Sequence, residues 1–197
     1  MAKKKFLRRN LWLIVIILAV ILVLLYVISA YNSFIVLEQN INGKWSEVEN
    51  QYQRQADLIQ LLVPVVSSSV KVETKFVSDV TALRTGWQNA QGTYNRDKAG
   101  VDMTNGVTAF INAVAENYPV LQANKQYVAL TDELAGTQNR ISVARGRYIE
   151  AIQSFNTAIK KFPANLLAGM FGFSDKDYYK AELSAMETPV LGTGVLP

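Results

Sequence analysis

Four serial residues, Ser68-Ser69-Val70-Lys71, carry the Ser-x-x-Lys spacing of acyl-enzymes, in which a serine nucleophile works with a lysine. That chemistry also needs Ser-Asp-Asn and Lys-Thr-Gly partners, and the chain has neither. The stretch therefore reads as a polar helix or turn. The chain has no histidine and no cysteine. The commonest general base, cysteine nucleophiles and the usual zinc ligands are thus all missing, which leaves carboxylate, lysine and tyrosine chemistry. Glu47, Glu49 and Asp57 lack the spacing of a calcium-binding loop and read as a solvated face. No glycine-rich phosphate loop follows a strand, because no strand is evident. No catalytic, cofactor or metal site is expected.

Four polar side chains stand out for their position. Glu73, Gln138 and Arg145 fall on heptad faces that should point inward. A buried charge needs a partner, and Glu73 with Arg145 or Arg84 would supply one. Such a layer sets register in helical bundles. The alternative is a pocket for a ligand or partner.

The elements that position these residues are helical. Steps of four and three from Ile41 meet Trp45, Val48, Tyr52, Gln55, Ile59, Leu62, Val66, Ser69, Glu73, Phe76, Val80, Leu83 and Trp87. This is the seam of a bundle helix. Pro64 and the serine run at 67–69 leave two forms open: one long kinked helix, or two helices joined near residues 64–70. Residues 88–106, rich in Gly, Asn and Asp, read as a loop. Val107, Phe110, Ile111 and Val114 then share a face. A further heptad series runs through Tyr127, Leu134, Ile141, Tyr148, Phe155 and Phe162 and stops at Pro163. Pro119, in "ENYPVLQAN", fits the first turn of that last helix, where its missing N–H costs little. In a kinked version, residues 34–90 and 104–161 would pair as one antiparallel hairpin. After Pro163, "NLLAGMFGF" is compact and apolar. Its Leu166, Leu167, Met170, Phe171 and Phe173 are expected to pack across the end of the bundle, or else to form a patch for the membrane or a partner.

Residues 10–37 contain no charge, and the most apolar part, Leu11 to Ile28, continues to about Tyr31. About 20 such residues cross the ~30 Å hydrocarbon core of a bilayer. Trp12 and Tyr31 flank the run, as interfacial aromatics do. The run is longer than the apolar core of a signal peptide. Lys3, Lys4, Lys5, Arg8 and Arg9 precede it, whereas only Lys44 lies in the following twenty residues. The positive-inside rule then places the N-terminus in the cytoplasm and the rest in the periplasm or outside the cell. Beyond Tyr31 the chain carries 15 basic and 16 acidic residues. No basic stripe is visible on the folded part, which argues against a nucleic-acid partner.

The chain resembles the LemA family of small membrane-anchored bacterial proteins from Tyr31 to Phe173. The likeness rests on "YNSFIVLEQNINGKWSEVENQYQRQADLI", Glu73, Arg84, "ENYPVLQAN", "ELAGTQNRISVARGRYIEAIQSFN" and "FPANLLAGMFGF". It departs at Gln60 and Leu61, where the family carries Pro-Asn, with Pro64 four positions after the expected site. It departs again at Gln138, where a Glu is usual, and at Ile149, where an Asn is usual. The resemblance implies an all-α protein: an N-terminal transmembrane helix followed by an antiparallel bundle of about four helices. The expected organisation is a basic tag at 1–9, an anchor at 10–31, the bundle at 32–173 and a tail at 174–197. The expected function is a non-enzymatic membrane-anchored scaffold or adaptor in the cell envelope. Its partners would be lipid at residues 10–31, other envelope proteins or a second copy. The competing expectation is a ligand-sensing ectodomain, which would need a separate partner to signal because the N-terminal tag is only about ten residues.

Overall fold

The computed structural model describes residues 2–70 and 74–178, with side chains from residue 11 onward. Five α-helices follow in order: α1 (Ala2–Ser69), α2 (Thr74–Asn89), α3 (Thr93–Asn117), α4 (Lys125–Lys160) and α5 (Ala164–Phe171). A 3-10 turn at Pro119–Ala123 joins α3 to α4. Among the described residues there is no strand.

The first helix is continuous over 68 residues, from the apolar run into the bundle. Every residue from Leu11 to Tyr26 is exposed. From Phe34 onward the four-three seam turns inward: Ile41, Val48, Tyr52, Gln55, Ile59, Leu62 and Val66 are buried. Pro64 lies inside α1 on its exposed side, where water can satisfy the freed carbonyl, and it does not end the helix. The break comes after the serine run, so the first soluble segment is two helices. The single long hairpin is thereby excluded. On α2 the seam continues through Val80 and Trp87, while Phe76 is exposed.

Contacts fix the directions. Trp45 stacks near Tyr148 with ring centroids 5.6 Å apart, Arg54 pairs with Glu133 at 2.6 Å, and Asn124 donates to Ser69 at 3.3 Å. These set α1 and α4 antiparallel. Helix α2 returns along α1 until Trp87 meets Tyr52, with ring centroids 6.2 Å apart. Helix α3 then runs beside α1, with Arg96 on Glu49 at 2.9 Å and Thr104 on Gln55 at 2.9 Å. The result is an up-down bundle of α1, α2, α3 and α4. Nearer the apolar run, only α1 and α4 continue, and α5 closes that end.

Residues 88–106 are not a loop. Only the short turn at residues 90–92 is non-helical, and α3 begins at Thr93. Packing outweighs the weak helix propensity of this stretch. A Cβ on Gly100 would lie 2.5 Å from the Tyr52 ring, so the small residue is what lets that ring lie against α3. The Pro119 junction works as a redirecting turn, with Tyr118 at φ −132° and ψ 64° before it. Helix α4 itself starts later than the proline. Asn124 is its N-cap, accepting from the N–H groups of Gln126 and Tyr127 at 3.0 and 3.2 Å. The heptad series on α4 is buried from Tyr127 through Phe155, but Phe162 is 81% exposed, because α4 ends at Lys160.

Candidate functional site

A polar cluster sits where α1, α3 and α4 meet. Asp97 on α3 is 5% exposed. Arg145 on α4 donates to its Oδ2 at 3.0 Å, and the Tyr52 hydroxyl on α1 donates to its Oδ1 at 3.2 Å. Burial pushes the Asp97 carboxyl above its ordinary range, against the opposing pull of Arg145 and the hydrogen bonds from Tyr52 and Arg145. Burial, with Asp97 beside it, raises Tyr52 as well. The phenol therefore stays protonated and donates. One turn further along, Gln55 is fully buried and accepts from Thr104. Its Nε2 has no acceptor among the described residues.

Of the four sequence-identified polar residues, Arg84, Gln138 and Arg145 are described, and they divide between two faces of the bundle. Glu73 lies outside the described residues. Arg84 sits on the α1–α2 face and donates to Gln60 Oε1 at 2.8 Å. Gln138 donates to Thr108 at 2.9 Å on the α3–α4 face. Gln138 and Arg145 share an open cleft of about 470 Å³ with Tyr52, Thr104 and Ile141. Arg145 pairs with Asp97, a residue the sequence did not single out because its stretch read as a loop. The signal was present: Gly100, Val107 and Val114 are seven apart, so the α3 seam extends back toward Asp97.

The Ser-x-x-Lys stretch is structural where it is described. Ser68 and Ser69 both donate to the Val65 carbonyl, at 3.2 and 2.7 Å. Lys71 lies outside the described residues. Among the described residues, no three carboxylates gather to hold a metal ion.

A second candidate region is the end of the bundle beside the apolar run. Helix α5 ends in a Schellman motif. Gly172 takes φ 76°, Gly172 N–H donates to Gly169, and Phe173 N–H donates to Ala168 at 3.0 Å. This turn drives Phe173 inward, between Phe34 at 5.1 Å and Tyr31 at 5.9 Å, with Phe155 at 6.3 Å. Asn156 then straps the following segment, exchanging two hydrogen bonds with the Lys176 backbone at 2.8 and 2.9 Å. Lys176 Nζ pairs with Glu38 at 2.6 Å. The five apolar residues of this stretch divide. Leu167 and Phe173 pack on the core, whereas Leu166, Met170 and Phe171 face outward at 61%, 79% and 43% exposure.

Comparison with known proteins fits this architecture. The LemA family profile matches residues 44–191, more than half of the chain. The chain belongs to the LemA family. Magnetosome proteins MamQ 1 and MamQ 2 of Paramagnetospirillum magneticum are each 24% identical to it over 204 residues, spanning 91% of this chain and 75% of each relative. The magnetosome protein MamQ of Magnetospirillum gryphiswaldense is 23% identical over 207 residues, spanning 92% of this chain and 76% of the relative. This LemA-family chain is a membrane-associated helical protein, and among its described residues one helix is long and apolar enough to cross a membrane.

Proposed function

We propose that this chain is a single-pass, membrane-anchored helical scaffold or adaptor of the bacterial cell envelope, working through protein–protein contacts without enzymatic chemistry. The observation that carries this reading is the unbroken α1, which is lipid-compatible in its first half and the central strut of the bundle in its second. A rigid helix of this kind holds the bundle at a fixed position relative to the bilayer, as a platform requires. The N-terminal cations favour a cytoplasmic N-terminus with the bundle on the other side. The polar groups of the bundle bind one another: Asp97 is held by Tyr52 and Arg145, and Glu133 by Arg54 and Arg140. Among the described residues, none of these is arranged as a nucleophile with a free base.

Photo-crosslinking in living cells tests the adaptor reading. A crosslinking side chain at Tyr94 or Val120, both more than 60% exposed, should trap discrete protein adducts. An absence of adducts at Tyr94, Val120 and further exposed bundle positions would contradict it.

The cleft beside Arg145 favours a second reading, a ligand-sensing ectodomain. It predicts a rise in melting temperature with a small molecule that is lost in Gln138→Ala. A flat response across a broad ligand panel would sink it.

A further inference from the structure

We infer that residues 162–171 form a second membrane element, with α5 lying in the headgroup and acyl boundary of the leaflet on the bundle side. The inference rests on α1 spanning the bilayer. Counted from Leu11 at about 1.5 Å per residue, Tyr26 lies about 23 Å along the apolar run and Tyr31 about 30 Å, the thickness of the hydrocarbon core. The end of the bundle reaches this depth. A groove of about 680 Å³ is lined by Tyr26, Ser29 and Ala30 on one side and by Phe162 and Ala164 on the other. The chain leaving α4 is therefore level with the last turns of the apolar run.

The side chains fit that place. Phe162, Leu166 and Met170 are 81%, 61% and 79% exposed, an apolar face with no protein over it among the described residues. The face continues onto the lipid-exposed surface of α1, because Phe171 meets Tyr31 edge-on with centroids 5.1 Å apart. Lys161 is exposed just before Phe162, where a long cationic side chain can reach the headgroups. The opposite face, through Leu167, Ala168 and Phe173, is committed to the core. A short helix with one apolar face inward and another outward at the bilayer boundary is an interfacial helix. Its occupant is phospholipid, and its effect is to fix the tilt of the bundle by a second point of attachment.

The chain has no cysteine, so single reporters are clean. Met170→Cys, carrying an environment-sensitive fluorophore, is placed in phosphatidylcholine vesicles containing lipids with a nitroxide high or low on the acyl chain. Val20→Cys on α1 and Asn95→Cys on α3 serve as deep and aqueous references. The expected result is a blue-shifted label at 170, quenched more by the shallow nitroxide than by the deep one. The label at 20 should show the reverse order, and the label at 95 neither effect. Leu166→Cys, on the same exposed face, should repeat the result at 170. A water-like spectrum at 170 and 166 with normal quenching at 20 overturns the interfacial helix alone. Shielding at 170 without nitroxide quenching also overturns it, because a second copy or residues 179–197 would then cover the face. Loss of quenching at 20 overturns the spanning α1 itself.

Discussion

Asp97 is the residue whose environment sets the strongest expectations. Its carboxylate is buried, and its partners are unequal: Tyr52 is enclosed, while the Arg145 side chain is 32% exposed. Replacing Arg145 with Leu strands the carboxylate and should cost about 3 kcal/mol, the lower end for breaking a buried pair. Thermal or urea unfolding of the purified chain checks this, and a loss near zero would mean that Asp97 reaches water. The pH dependence has a definite sign. An acid whose folded value is raised contributes stability below its ordinary range, and that contribution is lost as pH rises through the folded value. Asp97→Asn removes that decline. Its melting temperature relative to the parent should therefore improve over the pH window that opens at the ordinary carboxylate range and extends above it. Parallel melting curves for parent and variant across that window would contradict the assignment. The Arg145 position was legible from its place on a heptad face. Its partner was passed over, because Gly and Asn neighbours made the Asp97 stretch read as a loop, although the seven-residue spacing of Gly100, Val107 and Val114 leads back to it and Gly100 lets the Tyr52 ring pack there.

At the scale of elements, small polar and glycine residues fix where helices start and stop. Gly100→Leu should cost about 1–3 kcal/mol by overpacking against Tyr52. Asn124→Ala should cost about 1 kcal/mol, because the first turn of α4 loses its cap. Gly172→Ala should cost about 1 kcal/mol through its left-handed φ. It should also loosen Phe173, which a fall in the protection of Lys176 backbone exchange would report. The seams of α1 and α4 were readable because four-three spacing of large apolar residues survives in any bundle topology. Helix ends were less readable. Phe162 continues the α4 period by number, yet the helix has already stopped at Lys160. The division of residues 166–173 into inward and outward faces depends on the Schellman turn at Gly172, whose geometry no periodicity encodes. Pro119 drew the predicted start of α4 too early, because the helix begins at Lys125 behind the Asn124 cap.

For the whole molecule, a continuous α1 makes the apolar run and the bundle one mechanical unit. Pro64 is the one proline in α1 and lies far from the apolar run, so the segment between Tyr31 and Ile41 contains no helix breaker. Orientation then decides which proteins the bundle can meet. The helical fold and the long apolar run were legible in composition and spacing alone. The partner surface was not, since exposed side chains are under no periodic constraint. The decisive measurement is labelling of Asn95→Cys in intact cells with a small membrane-impermeant maleimide. Asn95 is exposed on the first turn of α3 and stands clear of the apolar run. The account predicts labelling before lysis, with the bundle outside the cytoplasm. Labelling only after permeabilisation of cells holding the folded protein would contradict it and place the scaffold on the cytoplasmic side.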